Sequence, residues 1–152
     1  MSLHTALVKI EEEKISSEKA KKFIASEKNG AESIFIGRVR NENSGKKVTA
    51  VTYDAHDHAV LKSFQSICSS AKNKFDKNAK IFLEHAKGYA CVGEISILIA
   101  VGSGHRDEAF KICRYILEEV KHQSPIWKKE HYVNGKEEWL PGHSLRPQKE
   151  IK

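Results

Sequence analysis

The chain has 152 residues, 39% apolar and 30% charged, with a formal charge of +6 and a pI near 9.2. That is the length of one domain burying about 70% of its unfolded surface, and it contains no repeat, no low-complexity tract and no apolar run of the ~18 residues that span a bilayer. The basic excess selects anionic company, whether nucleic acid, a phosphorylated small molecule or an acidic protein, without choosing among them. Cys68, Cys91 and Cys113 are odd in number, widely spaced and set among apolar residues, which argues against a disulfide framework or a zinc site and fits reduced cytoplasm. The acidic run at 11–13 stands where a signal peptide would be apolar, so a soluble, unexported protein is expected.

Alternating apolar positions predict a strand over 5–10, and Ser16 or Ser17 caps a short helix with Ala20, Phe23 and Ile24 on one side. Asn29 and Gly30 stop it. Residues 32–40 and 48–55 read as strands on either side of the turn NENSGKK, a predicted hairpin with Arg38 and Arg40 on one face. Helical spacing of Val60, Leu61, Phe64, Ile67, Cys68, Ala71 and Phe75 predicts a core-facing helix over 57–75. Strands follow at 79–86 and 93–101, separated by Lys87, Gly88 and a short irregular stretch, the second apolar enough to be central. A helix over 107–123 would bury Ala109, Phe110, Cys113, Ile116, Leu117 and Val120, and Pro125 forbids its continuation. The last two runs, 126–133 and 136–140, flank Asn134-Gly135, the signature of a type I′ hairpin. The order β-α-β-β-α-β-β-α-β-β predicts an α+β fold, a single compact domain over 1–152 with a mostly antiparallel or mixed sheet, about three helices and a C-terminal hairpin, and argues against a doubly wound sheet. Residues 141–152 are expected to form a flexible tail.

The segment VKHQSPIWKKE at 120–130 sets Lys121 at a helix end and Lys128 at a strand start, across Pro125 and beside Trp127. Lysine serves where a compact cation must hold an anion, or where a lowered pKa permits proton transfer. GSGHR at 102–106 lies before a helix N-terminus and reads either as an anion site with His105 and Arg106 or as a plain capped turn. Arg38 and Arg40 either clamp an anion or decorate a solvent-facing edge. His56 and His58 lack a third ligand at a recognisable spacing, so they read as a helix-start pair and no metal is expected. The lysine runs at 19–22 and 71–80 read as solvated faces. Trp127 and Trp139 read as packing; a nucleic-acid role lacks both a GxxG clamp and an RNP pattern. Neither a P-loop nor a GxSxG elbow occurs.

Four motifs in one order, IFIGRVRN at 34–41, VTYDAH at 51–56, IAVGSGHRDEAF at 99–110 and LEEVKHQSPIWKKE at 117–130, resemble the molybdopterin synthase large, catalytic subunit family (MoaE-like). The resemblance runs from about Gly30 to Trp139 and implies an α/β-hammerhead type of fold. It implies a sulfurtransferase of molybdenum cofactor biosynthesis that converts cyclic pyranopterin monophosphate to molybdopterin and needs no cofactor of its own. Two sulfurs would come from the C-terminal Gly-Gly thiocarboxylate of a ubiquitin-like small subunit, in a heterotetramer built on a central homodimer, without nucleic acid or membrane. By motif, Lys121 and Lys128 match the family's active-site lysines, and Arg40, His105 and Arg106 its basic pocket. Lys121 is the first choice for proton transfer or tail contact, with Lys128 holding substrate or acting as a second acid or base. Phe35 and Gly37 would shape the pocket or tail channel, with ordinary strand packing an equal alternative. GSGHR departs from the family's common Ser-Ala-His-Arg run, and whether His143 or Arg146 reaches a neighbouring subunit stays open. The competing reading is a basic, non-enzymatic module that binds RNA or an acidic protein.

Overall fold

The computed structural model describes residues 1–141 and builds its sheet around one long strand. In chain order the elements are β1 (Leu3–Lys9), α1 (Ser17–Ile24), β2 (Ala31–Arg38), β3 (Glu42–Asn43), β4 (Lys46–Ala55), α2 (Asp57–Phe75), β5 (Lys80–Cys91), β6 (Ile95–Ser103), α3 (Arg106–Gln123), β7 (Ile126–Tyr132) and β8 (Glu137–Trp139). Strand order is β2-β6-β5-β4-β7-β8, with β1 parallel to β5 and β3 paired to β4. Every other pairing is antiparallel, as an α+β fold requires.

The separator expected at Lys87 and Gly88 is instead part of β5. The strand pairs with β6 up to His85 and with β1 up to Lys87; from Gly88 to Cys91 it pairs with β4. Gly88 sits at the change of partner with φ +102, and a Cβ there would collide with the Glu11 carboxylate. Glycine alone meets both demands, which is why it looked like an interruption in the sequence.

A second correction concerns the strands at 32–40 and 48–55, which do not form a hairpin. β2 pairs with β6, Phe35 facing Ile99 and Gly37 facing Ile97, while β4 pairs with β5 and β7. Alternation marks a strand without naming its partner. The intervening turn makes its own small hairpin, β3–β4, through Ser44 (φ 51) and Gly45 (φ 78), the two positive angles of a type I′ link. The Asn134-Gly135 hairpin is present, but only Gly135 has positive φ. Its amide donates to the Tyr132 carbonyl at 3.0 Å and Tyr132 N–H to the Lys136 carbonyl at 2.8 Å, a longer link than type I′.

Both faces of β6 are buried, so helices must cover the sheet on two sides. α1, capped by Ser16 accepting from Lys19 N–H, sets Phe23 against Phe82 on one face. α2 buries Val60, Phe64, Ile67, Cys68 and Ala71 and packs against α3, which lies along β6 and β2. α3 buries Ala109, Ile112, Cys113, Ile116 and Val120. Phe110, expected inside, is 67% exposed because it lies outside that i, i+3, i+4, i+7 stripe, and Ile112 takes its place. All three thiols are free, and Cys91, expected among apolar neighbours, is exposed. The expected tail, with His143 and Arg146, lies outside the described residues apart from Pro141.

Candidate active site

The link from α3 to β7 decides where the two lysines stand. Ser124 ends α3, its N–H donating to the Val120 carbonyl at 3.1 Å and its hydroxyl sharing a hydrogen bond with Ser63 of α2 at 3.0 Å. His56 N–H donates to the Pro125 carbonyl at 3.4 Å, and the His56 ring caps α2 by accepting from Ala59 N–H, the helix-start role expected of it. Ser124 and Ile126 are fully buried, so the corner is fixed. Lys121, in the last turn of α3, and Lys128, third in β7, are thereby held at the same end of the molecule.

Lys128 is half-buried and pairs across the sheet with Tyr53 of β4. Burial holds its ammonium pKa below the ordinary lysine range, the charges of Lys121 and Arg40 push the same way, and Glu130 opposes them. A cavity of about 60 Å³ opens here, lined among others by Arg38, Arg40, Asn43, Tyr53, Lys128 and Glu130. Arg38 is engaged with the Gly93 carbonyl at 2.9 Å, whereas β2 has ended before Arg40, which faces the cavity. A bulge between Gly37 and Arg38 and the burial of Val39 set up that turn.

Within one chain, Arg40, Lys121 and Lys128 come together and His105 and Arg106 do not. His105 caps α3 without a side-chain bond and Arg106 begins it; Lys121 is fifteen residues further on, about 22 Å along the axis at 1.5 Å per residue. His105 borders a separate, larger cavity of about 670 Å³ with Lys28, Asp76 and Lys80. Phe35 and Gly37 are half-buried on one face of β2, and neither lines the Lys128 cavity. A Cβ on Gly37 would come within 2.7 Å of Ile97 Cγ2, so close packing alone requires glycine there. Trp139 is 50% exposed beneath the Lys129 ammonium, 5.1 Å from the ring centroid.

The family model described as "MoaE protein" matches residues 10–123. The chain belongs to the MoaE family. The molybdopterin synthase catalytic subunit of Synechococcus elongatus is 40% identical over 126 residues, covering 83% of this chain and 76% of that protein. The crystal structure of molybdopterin synthase from Staphylococcus aureus superposes with a TM-score of 0.82 at 27% identity, covering 93% and 98% of the two chains. A Helicobacter pylori structure, a complex of subunits 1 and 2 of molybdopterin-converting factor, shares the fold with a TM-score of 0.72 at 20% identity, covering 97% and 96%.

This MoaE chain carries further polar groups at the site that sequence reasoning missed. Glu130 is 4% exposed and accepts from Asn43 Nδ2 at 2.8 Å and the Tyr132 hydroxyl at 2.9 Å. It lies two residues after Lys128, so strand alternation sets both on one face, a signal the sequence did offer. Asn43 arrives only through the β3–β4 hairpin. Tyr53 is buried and is held above the ordinary tyrosine pKa chiefly by that burial. His85, fully buried on β5, lies edge-on to the Tyr53 ring at 5.1 Å. Among the described residues no three His, Cys, Asp or Glu side chains gather as a metal set.

Proposed function

We propose that this chain is the catalytic subunit of a molybdopterin synthase, transferring sulfur from a thiocarboxylated small subunit to a cyclic pyranopterin monophosphate in molybdenum cofactor biosynthesis. The observation that carries the reading is Lys128: a half-buried lysine with depressed pKa, two further cations near it, and one buried carboxylate to balance them. Both proposed reactants are anions, a thiocarboxylate and a cyclic phosphate, and preformed cations in a partly dry site stabilise charge that develops as sulfur adds to the pterin side chain. A lysine with lowered pKa also gives and takes protons nearer neutrality than an exposed one. Lys121, at the open end of α3, is assigned to the incoming tail or to proton transfer, and Arg40 to the phosphate.

The cavity of about 60 Å³ is far below the roughly 300–1,000 Å³ of pockets that enclose a small molecule. It suits the end of a chain or one anionic group, so the rest of the site must come from elsewhere. His105 and Arg106, an α3 length away, join it if a second copy of the chain supplies them, as a central homodimer would. The free thiols suit a reducing compartment, and we take the protein to work in the cytoplasm.

The test is reconstitution: the chain plus thiocarboxylated small subunit should convert the cyclic monophosphate to molybdopterin. Lys121→Ala and Lys128→Ala should each lower turnover at least a hundredfold while keeping the wild-type circular dichroism and melting profile. No conversion by the wild-type pair would overturn the reading, and full activity of either variant would remove that lysine from the chemistry.

A further inference from the structure

His85 has no part in the mechanism above, yet it occupies a position that a core side chain seldom takes. It is 0% exposed, and its Nδ1 lies 2.8 Å from the Ala86 carbonyl, which only accepts, so Nδ1 carries the proton. A ring so buried beside a lysine ammonium stays neutral, which leaves Nε2 as a bare lone pair. That atom is buried and has no hydrogen-bond partner. Orphaned buried acceptors are rare in folded proteins and ask for a donor.

The groups facing the ring from the surrounding elements narrow the choice of donor. Across β6 stands Ile97, which has none to give. From β4 comes Tyr53, which meets the ring edge-on and makes no hydrogen bond to Nε2. From β7 comes Lys128, the register partner of Tyr53, whose charge reaches His85 and helps to keep it unprotonated. Lys128 in turn is faced by Glu130 on its own strand, Lys121 at the end of α3, and Arg40 after β2. The ammonium has a flexible four-carbon stem and three donors, so it can serve Glu130 outward and a lone pair inward.

We propose that His85 is a positioning residue for Lys128, its neutral imidazole presenting Nε2 as the internal acceptor of the lysine ammonium, directly or through one water. This deepens the reading of the Lys128 pocket and rests on it for its catalytic meaning. An acceptor on the protein side steadies the charged form of a lysine that burial and two neighbouring cations destabilise. It also fixes the lysine head against the sheet, where the four-carbon stem alone would leave it free.

The test uses the full chain with histidine and lysine isotope labels, read by NMR. In the wild type, His85 should be the Nδ1–H tautomer and remain neutral from about pH 5 to 9; an Nε2–H tautomer would overturn the proposal without any variant. Glutamine can present its amide oxygen near the Nε2 position, and asparagine cannot. His85→Asn should therefore lower the Lys128 midpoint by about one pH unit, a tenfold change in its ionisation constant, and His85→Gln should restore most of it. The alkaline limb of turnover should move with that midpoint. Equal Lys128 midpoints in wild type, His85→Asn and His85→Gln would also overturn it, as a packing role predicts. The tautomer and the lysine midpoint need no substrate, so a chain that shows both and makes no molybdopterin would refute the sulfur-transfer reading and leave this one standing.

Discussion

Replacing Glu130 by glutamine removes one charge from the site and almost no volume, which makes it the sharpest probe of how the site is balanced. The carboxylate accepts two hydrogen bonds, from Asn43 Nδ2 and the Tyr132 hydroxyl. A glutamine amide can keep both contacts, accepting from Asn43 and donating to the Tyr132 oxygen, but each becomes neutral. Bonds to charged groups contribute about 1.5–3 kcal/mol and neutral ones about 0.5–1.5, so the loss is about 2 kcal/mol for the pair. In a chain of this size that lowers Tm by about 4–8 °C, readable by calorimetry. The second consequence concerns Lys128. Glu130 is the group that raises its pKa against burial, so without the carboxylate the ammonium loses its proton at lower pH. The Lys128 midpoint should fall in Glu130→Gln, and the alkaline limb of turnover with it. An unchanged melting temperature together with an unchanged Lys128 midpoint would refute the electrostatic account of the site.

Four other outcomes follow from single positions. His85 is held to a pKa of about 4 by burial, against about 6.5 when unfolded, so its neutral form favours the fold above pH 6.5 and that contribution drains away as pH falls toward 4. Stability lost over that window should approach about 3 kcal/mol more in wild type than in a folded His85→Gln, by urea melts at stepped pH; parallel slopes would contradict it. Burial pushes the Cys68 thiol up to about 12 and raises Cys113 as well, while Cys91 is exposed, so Ellman's reagent should find one fast thiol in the folded chain and three in denaturant. Gly37→Ala forces a Cβ to within 2.7 Å of Ile97 and should cost about 1–3 kcal/mol in denaturant melts, with wild-type stability as the disproof. Gly88→Ala meets positive φ and the Glu11 carboxylate together and should cost at least about 1 kcal/mol; a Glu11→Ala background should relieve only the collision.

Much of this fold is readable from local chemistry. Ser16 caps α1 and Pro125 ends α3 because caps and breakers act on the residues beside them. The stripe of α2 is visible for the same reason: one face of one helix. Pairing was not legible, because β2 and β4 alternate equally well whether they meet each other or, as here, β6 on one side and β5 and β7 on the other. The site divides along the same line. Lys121 and Lys128 flank one corner and are close in sequence, so the segment announced itself. Arg40 needed the bulge after Gly37, and Tyr53 needed the β4–β7 register. His105 and Arg106 match by motif, yet one chain keeps them an α3 length from the lysines.

The polar groups buried at this corner are the ones that a core built for stability alone would exclude. Glu130 and His85 are almost without solvent, Lys128 is half-buried beside two cations, and His85 leaves one nitrogen unpaired. His85 reaches this corner through the course of β5, which leaves β6 after His85 and β1 after Lys87 and pairs with β4 from Gly88, setting the ring edge-on to Tyr53, the register partner of Lys128. Conflicts between local chemistry and a stable core tend to collect where a protein functions. By contrast, β6 is buried on both faces behind apolar side chains, and Glu84, on the opposite face of β5 from His85, has His4 at 2.7 Å and Lys19 at 3.5 Å. A buried carboxylate with two partners is a satisfied structural group; a buried imidazole with an empty lone pair beside a depressed lysine is not. That contrast between adjacent residues of one strand separates the chemistry of this chain from its scaffold.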